Sequence, residues 1–482
     1  MNILADVLIW GGYFAVFAWL TRKGRGHDSL LTGTVGFGVQ ALAYVSTYIS
    51  AVALVGFGGL AHRHGMQLLL VAAGNVWLGT WMVYRFLAWP TKTWQERLGA
   101  RSPAQLIALG HNSPWLGRVL ALIFAVFLGV YASAVIKGAS LMLAEILPLP
   151  VWMLIWLVAA IVGLCVFIGG LRGVMYTEAM QGAVMLVGII LIVWAVLVKV
   201  GGPVDGVLAL SQLPPDRFAT NGFLALSGGE SGLFILSLVA VTSVAVWAQP
   251  QMIQRHFALS SPKQTAKSAP VAMLALTILV GGTYFIAALS RLILPEVASP
   301  DEVMPRLVRM LLPHVGVQIF VLAIVSASLS TATALYHIAA SSLAEDVPGK
   351  PASRASWLLG ILVCVLVSGA CAQIKGQLVA LLCTTSWSVV GATALVPYLA
   401  LVRTGKRHAP SAWLSALCGF FACLLWYLCV YKPTAIIPPL FGAAGSIPPF
   451  FVGLSFAAMG WGLGLCIKSS TLEPSDIRGD NA

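Results

Sequence analysis

Apolar runs of roughly 20 residues, separated by short loops, recur along the whole chain. As a helix, a run of that length spans the ~30 Å hydrocarbon core of a bilayer, whereas barrel strands would be about ten residues long and alternating. Backbone N–H and C=O groups have no water to bond in hydrocarbon, so each segment must satisfy its own. The chain is therefore expected to fold as an all-α integral membrane bundle. Thirteen stretches qualify: 3–21, 33–58, 64–89, 115–147, 150–169, 176–200, 229–252, 268–294, 313–345, 355–372, 376–402, 411–431 and 447–467. Composition agrees, because 59% of the 482 residues are hydrophobic and only 9% are charged, against about 25% charged in soluble domains.

The formal charge of +12 does not point to nucleic acid, because the basic residues sit in short loops between apolar runs. With thirteen spans and an external N-terminus, 18 Lys and Arg fall on the inside and 8 on the outside. That asymmetry predicts an external N-terminus and a cytoplasmic C-terminus in the plasma (inner) membrane of a cell. The first run has an acid early and its positive charges after the apolar stretch, the reverse of a secretion signal, so it is expected to be a retained helix. The expected organisation is a peripheral first helix and loop (1–26), a ten-helix core (27–408), two C-terminal helices (409–467) and a cytoplasmic tail (468–482). The eight cysteines form no CxxC pair and read as small apolar residues rather than a disulfide or metal framework. No GxxxxGK[ST], HExxH or GxSxG motif is present, so neither a nucleotide-driven pump nor an enzyme is expected, and no organic cofactor. The oligomeric state is not set by the sequence.

Polar groups inside a membrane are costly and face a bundle interior, so each marks a possible site. The stretch SASLSTAT, residues 326–333, carries five hydroxyls in eight residues. Ala327, Ser330 and Thr331 fall at i, i+3 and i+4, on one helical face. Two hydroxyl oxygens and a free carbonyl there suit a hard monovalent cation. The alternative is helix–helix glue, since Ser and Thr let helices approach closely and bond across them. Residues 40–59 are rich in small and hydroxyl side chains and carry Gly56, Gly58 and Gly59, read as an interruption at the outer end. Residues 243–255 contain Pro250. Interrupted helices at matching positions of two halves point to a transporter's central site. If the first helix is peripheral, five-helix repeats fall at about 33–200 and 229–402, inverted relative to one another.

Four stretches in order resemble the sodium:solute symporter family: TWQERLGARSP (93–103), GGLRGVMYTEAMQG (169–182), QPQMIQRHFA (249–258) and LSTATALYHIAASSLAED (329–346). TYISAVALVGFGG (47–59) and PDEVMPRLVRMLLP (300–313) look closest to its pantothenate and monocarboxylate branch. The resemblance implies a leucine-transporter-type fold of 5+5 inverted repeats, here with one extra N-terminal and two extra C-terminal helices. By motif position it implies a sodium site made by the carbonyls of Ser46, Ile49 and Ala327 and the hydroxyls of Ser330 and Thr331. Glu178 stands where the family has an aspartate on the cytoplasmic ion-exit route. Tyr48 replaces the aspartate of proline symporters, and Thr242 and Val246 replace their aromatic pair, so proline is not the expected substrate.

Candidate substrate contacts are Tyr48, Asn75, Tyr131, Thr242 and Gln249, each of which would also serve as a packed, hydrogen-bonded core residue. Lys137 is either a partner for a substrate carboxylate or a snorkelling cation, and His337 is either a proton-sensitive gate or a structural ring. The resulting expectation is sodium-coupled symport of a small organic solute, a carboxylate such as pantothenate or a monocarboxylate, with the solute and the lipid bilayer as the only partners and no nucleic acid. The rivals are a proton-coupled transporter of the same fold and a transporter-like membrane sensor that does not translocate.

Overall fold

The computed structural model describes residues 3–23, 36–169, 174–226, 232–374, 376, 378–431 and 445–467, and among these it is helical throughout with no strand. Among the described residues, eight helical segments are long and apolar enough to cross a membrane: 52–98, 114–143, 176–199, 262–292, 314–346, 354–372, 379–404 and 409–430. A ninth crossing is the bent pair Gly232–Ala248 and Pro250–Phe257, and three shorter apolar helices lie at Leu4–Leu20, Val151–Phe167 and Pro449–Leu465. The loop at 24–35 and the tail from 468, both part of the charge balance, lie outside the described residues.

The segment 52–98 turns back on itself at Gly65. This residue has φ +67° and ψ −146°, a conformation essentially restricted to glycine, and a Cβ there would fall 2.3 Å from the Phe223 carbonyl oxygen. Two crossings are thus joined by a corner with no loop.

Two helices are interrupted in mid-course. Phe37–Tyr48 ends at Ile49, whose φ −101° and ψ 128° are extended. The chain becomes helical again at Ala51, with the Ser50 hydroxyl accepting from the Val52 N–H at 3.2 Å as a cap would. The second interruption is at Gln249, φ −68° and ψ 126°, followed by Pro250 at the first position of the next helix. Proline removes an N–H the helix would need and starts a new helix easily, so the two halves meet at 45°. The first break is followed by a wide π-type turn at 52–57, and the second is preceded by one at 240–244 and a 3-10 turn at 245–248.

The first break corrects the sequence reading. Gly56, Gly58 and Gly59 do not interrupt the helix; they lie inside it. Their role is close packing, since a Cβ on Gly59 would fall 2.0 Å from the Pro300 carbonyl oxygen and one on Gly56 2.8 Å from the Ala380 nitrogen. The hydroxyl- and β-branched-rich Ser46-Thr47-Tyr48-Ile49-Ser50 is where the helix opens.

Helix 314–346 is the hub. It packs against 174–199, 114–143, 354–372 and the first half-helix 37–48. Helix 379–404 packs on 114–143 and on the C-terminal pair 409–430 and 449–465. Helix 3–23 lies against 174–199 and 314–341, at the edge of the bundle. The interrupted helices therefore lie among the long ones, and their breaks are buried.

Candidate ion and substrate site

The first break frees carbonyls that a continuous helix would consume. The Ser46 carbonyl, one of them, receives two hydroxyls from helix 314–346: Ser330 Oγ at 3.0 Å and Thr331 Oγ1 at 3.2 Å. Ser330 Oγ also lies 2.9 Å from the Ala327 carbonyl oxygen. Ser46, Ala327, Ser330 and Thr331 are therefore brought together, all at 1% exposure or less. Ile49, the fifth expected ligand, is the residue at which the half-helix stops, and it is buried just beyond them. Two carbonyls and two hydroxyls converging in a dry crevice form a hard-oxygen donor set suited to a small monovalent cation. The side-chain hydroxyl of Ser46 is buried without a partner, so polar capacity remains at the same junction.

The five expected substrate contacts also converge. Tyr48 donates to the Thr242 carbonyl at 2.5 Å, across the two interrupted helices. Asn75 Oδ1 accepts from Thr242 Oγ1 at 2.8 Å and from Ser243 Oγ at 3.2 Å. The Tyr48 ring lies parallel to Trp387, centroids 6.2 Å apart, and the edge of Tyr131 meets the same indole at 5.3 Å. Gln249, at the second break, donates to the Trp387 carbonyl at 3.1 Å. Gln249 Oε1 and Trp387 Nε1 are buried and unbonded, as are both amide atoms of Gln251, two residues past the second break. A bare indole donor and a bare amide oxygen beside aromatic rings and helix breaks are groups able to bind a small polar solute.

Trp387 and Gln251 were not identified from the sequence. Trp387 is one indole among 16 tryptophans, and nothing in TTSWSVV marks the face it occupies. Gln251 follows Pro250 by one residue, and its position beside the interruption was the available signal.

The two charged candidates lie elsewhere. Lys137 is partly exposed and reaches the Ile374 carbonyl at 3.3 Å, beyond the end of helix 354–372. His337 packs edge-on against Trp357 at 5.1 Å, and neither ring nitrogen has a hydrogen-bond partner. Neither belongs to the ring of residues around Trp387.

A cavity of about 610 Å³ is lined among others by Arg63, Arg217, Val241, Leu381, Thr384 and Ser388, and so reaches the helix positions next to Thr242 and Trp387. The opposite end is closed by buried polar ties. Glu178 pairs with Arg255 at 2.5 Å. Lys92, 2% exposed, donates to the Phe257 carbonyl at 2.7 Å. Asp346 Oδ1 accepts from Gln105 at 2.7 Å.

Interrupted helices, buried breaks and a central polar site open on one side define a secondary transporter of the alternating-access kind. The model of the sodium:solute symporter family matches residues 30–401, and the chain belongs to that family. It is 27% identical over 342 residues to a sodium/pantothenate symporter of Haemophilus influenzae, covering 69% of each chain. It is 25% identical over 349 residues to a high-affinity proline transporter of Bacillus subtilis, covering 70% of each. Its fold matches that of a Na+-coupled sialic acid symporter in a substrate-bound, outward-open state, with a TM-score of 0.75 at 14% identity over 96% of this chain and 98% of that one. The protein is thus a multi-pass membrane transporter with a sodium-coupled family mechanism, not an enzyme.

Proposed function

We propose that the protein imports a small organic carboxylate, such as pantothenate or a monocarboxylate, together with sodium. The observation carrying this reading is the convergence of Ser330 and Thr331 on the Ser46 carbonyl, in the same break that presents Tyr48 to the substrate site. Sodium bound to the carbonyls of Ser46, Ile49 and Ala327 and the two hydroxyls would bridge the first interrupted helix to helix 314–346. That fixes the orientation of the half-helix carrying Tyr48. Substrate then meets a preformed Tyr48–Thr242 pair, so each solute tightens the binding of the other. The unpartnered Trp387 Nε1 would donate to a carboxylate or hydroxyl, and Gln249 Oε1 and the Gln251 amide would take the polar groups of the remaining body.

Charge asymmetry supports an external N-terminus, and with that orientation the cavity at Val241 and Ser388 would face outward and the Glu178–Arg255 pair the cytoplasm. The conformation is then outward-facing. In this reading inward release of sodium would part Glu178 from Arg255, with Glu178 on the ion's exit route.

The test is uptake into proteoliposomes of labelled pantothenate, acetate, pyruvate, proline and a sugar, under an inward sodium gradient, an inward proton gradient, or neither. Sodium-stimulated accumulation of one carboxylate is expected. Accumulation driven only by protons would replace the coupling ion, and accumulation of proline or the sugar alone would replace the substrate class.

A further inference from the structure

A second concavity of about 600 Å³ lies away from the transport site, lined by Met82, Phe86, Leu87, Trp247, Val396, Leu399, Ala400, Arg403, Thr404, Lys406 and Trp461. It is open, and its walls are helix faces. Met82, Phe86 and Leu87 form one, and Val396, Leu399, Ala400, Arg403 and Thr404 form the other. Trp461 of the last helix lines a third side. The surrounding surface is apolar and exposed: Trp77 56%, Trp81 41%, Met459 59% and Leu463 62%. On a membrane-spanning bundle such a face meets lipid, so the groove is open to the bilayer.

The groove is polarised along its length. Its apolar part runs from Trp247, two residues before the Gln249 break, down helix 379–404. Its far end carries Arg403 and Lys406, both exposed, and no carboxylate lines it. From Val396 to Thr404 the helix rises about 12 Å, close to half of the ~30 Å hydrocarbon core. Arg403 is held in place, donating to the Phe86 carbonyl at 3.2 Å and lying over the Phe86 ring at 5.3 Å. Its remaining donors and the Lys406 ammonium form no ion pair among the described residues. An apolar groove ending in two cations matches one ligand chemistry: an acyl chain attached to an anionic phosphate headgroup.

We propose that this groove is a binding site for an anionic phospholipid, its phosphate on Arg403 and Lys406 and its acyl chain between helices 65–98 and 379–404. The lipid's tail would touch Trp247, whose indole N–H is tied to the Leu78 carbonyl at 3.0 Å beside the second interruption. Occupancy therefore braces the outer half of that interrupted helix. The site does not depend on which solute or ion the protein carries.

The experiment is native mass spectrometry of the full-length protein, released from nanodiscs containing equal amounts of phosphatidylglycerol and phosphatidylcholine. The wild type is expected to retain phosphatidylglycerol at least tenfold over phosphatidylcholine, with one molecule held most tightly. The Arg403→Gln/Lys406→Gln variant should lose that preference. Lys263→Gln/Lys267→Gln, which removes two exposed charges elsewhere, should keep it. Ala400→Trp, which fills the channel without changing charge, should reduce retention of the tight lipid. The proposal fails if the wild type retains both lipids equally, or if the two double variants behave alike. It also fails if a disulfide forms efficiently between copies carrying Ala400→Cys, which would show a second copy on this face.

Discussion

Two hydroxyls, one carbonyl and one indole carry most of the chemistry at the residue scale. Ser330 and Thr331 both point at Ser46, so removing them should weaken sodium without emptying the core. Ser330→Ala with Thr331→Ala is expected to raise the sodium concentration for half-maximal uptake at least tenfold, with the protein still folded and inserted. Unchanged sodium dependence in a correctly inserted double mutant would remove the ion site from this position. Asn75 poses a different question, because its Oδ1 accepts two buried hydroxyls at once. Asn75→Leu strands both, at a cost of about 1–3 kcal/mol each, and should lower the unfolding midpoint. Asn75→Asp keeps an acceptor there and should restore most of that stability. Gln249→Ala removes an amide that already has a bare oxygen, and should raise KM for the solute more than it lowers stability.

Element-scale behaviour follows from where helices come close and where they are tied. A Cβ on Gly79 would fall 2.2 Å from the Tyr48 hydroxyl oxygen, so the helix 65–98 face is flat there to admit the tyrosine. Gly79→Ala should push Tyr48 off the Thr242 carbonyl, and a Tyr48→Phe background, which lacks the hydroxyl, should reduce the added penalty; both are read as KM in uptake. At the opposite corner His111 fastens the loop before helix 114–143 to helix 379–404. Its Nδ1 accepts from the His408 backbone N–H at 3.2 Å, so its Nε2–H donates to the Pro397 carbonyl at 2.9 Å. The ring is neutral in this arrangement, and burial lowers its pKa from 6.5 to about 4, with the Pro397 carbonyl opposing and Arg407 and His408 assisting the shift. A depressed histidine favours the folded state fully above pH ~6.5 and loses that contribution as pH falls toward 4. The loss should reach about 3 kcal/mol at the acid end. Thermal unfolding followed from pH 7.5 to 4.5 should show the midpoint dropping below pH 6.5, and His111→Gln should flatten that limb. A drop of equal size in the variant would exclude His111 as its source.

For the whole molecule, the two ends of the site are closed by unequal means. One side holds a cavity, and the other holds the Glu178–Arg255, Lys92–Phe257 and Asp346–Gln105 ties. Breaking one partner of a buried ion pair costs about 3–5 kcal/mol because the other charge is stranded. Arg255→Ala should therefore shift the population toward an inward-open form as well as lower stability. A cysteine introduced at Gln251 should then react faster with a membrane-impermeant thiol reagent applied from the cytoplasmic side. Equal labelling rates with and without Arg255 would show that the pair does not hold that side shut.

The sequence alone determined the solvent and the helical class, and narrowed the hydroxyl cluster to two uses. Apolar runs of bilayer length allow only helices, and a hydroxyl cluster inside one of them has few uses besides ion binding or helix contact. The i, i+3, i+4 spacing put Ala327, Ser330 and Thr331 on one face, because helical geometry is local, but only the family resemblance favoured an ion site over helix contact there. Pro250 likewise marked the second break, because a missing N–H is a property of one residue. Only the tertiary structure decided that the first break falls at Ile49 rather than at Gly56–Gly59. There, glycines serve contact with Pro300 and Ala380 from distant segments, and an unwound backbone is tolerated because hydroxyls from helix 314–346 reach it. The same applies to Trp387, which completes the site, and to Lys137, which does not enter it. Which face an aromatic or cationic side chain presents depends on how helices far apart in the chain pack, and no local pattern encodes that.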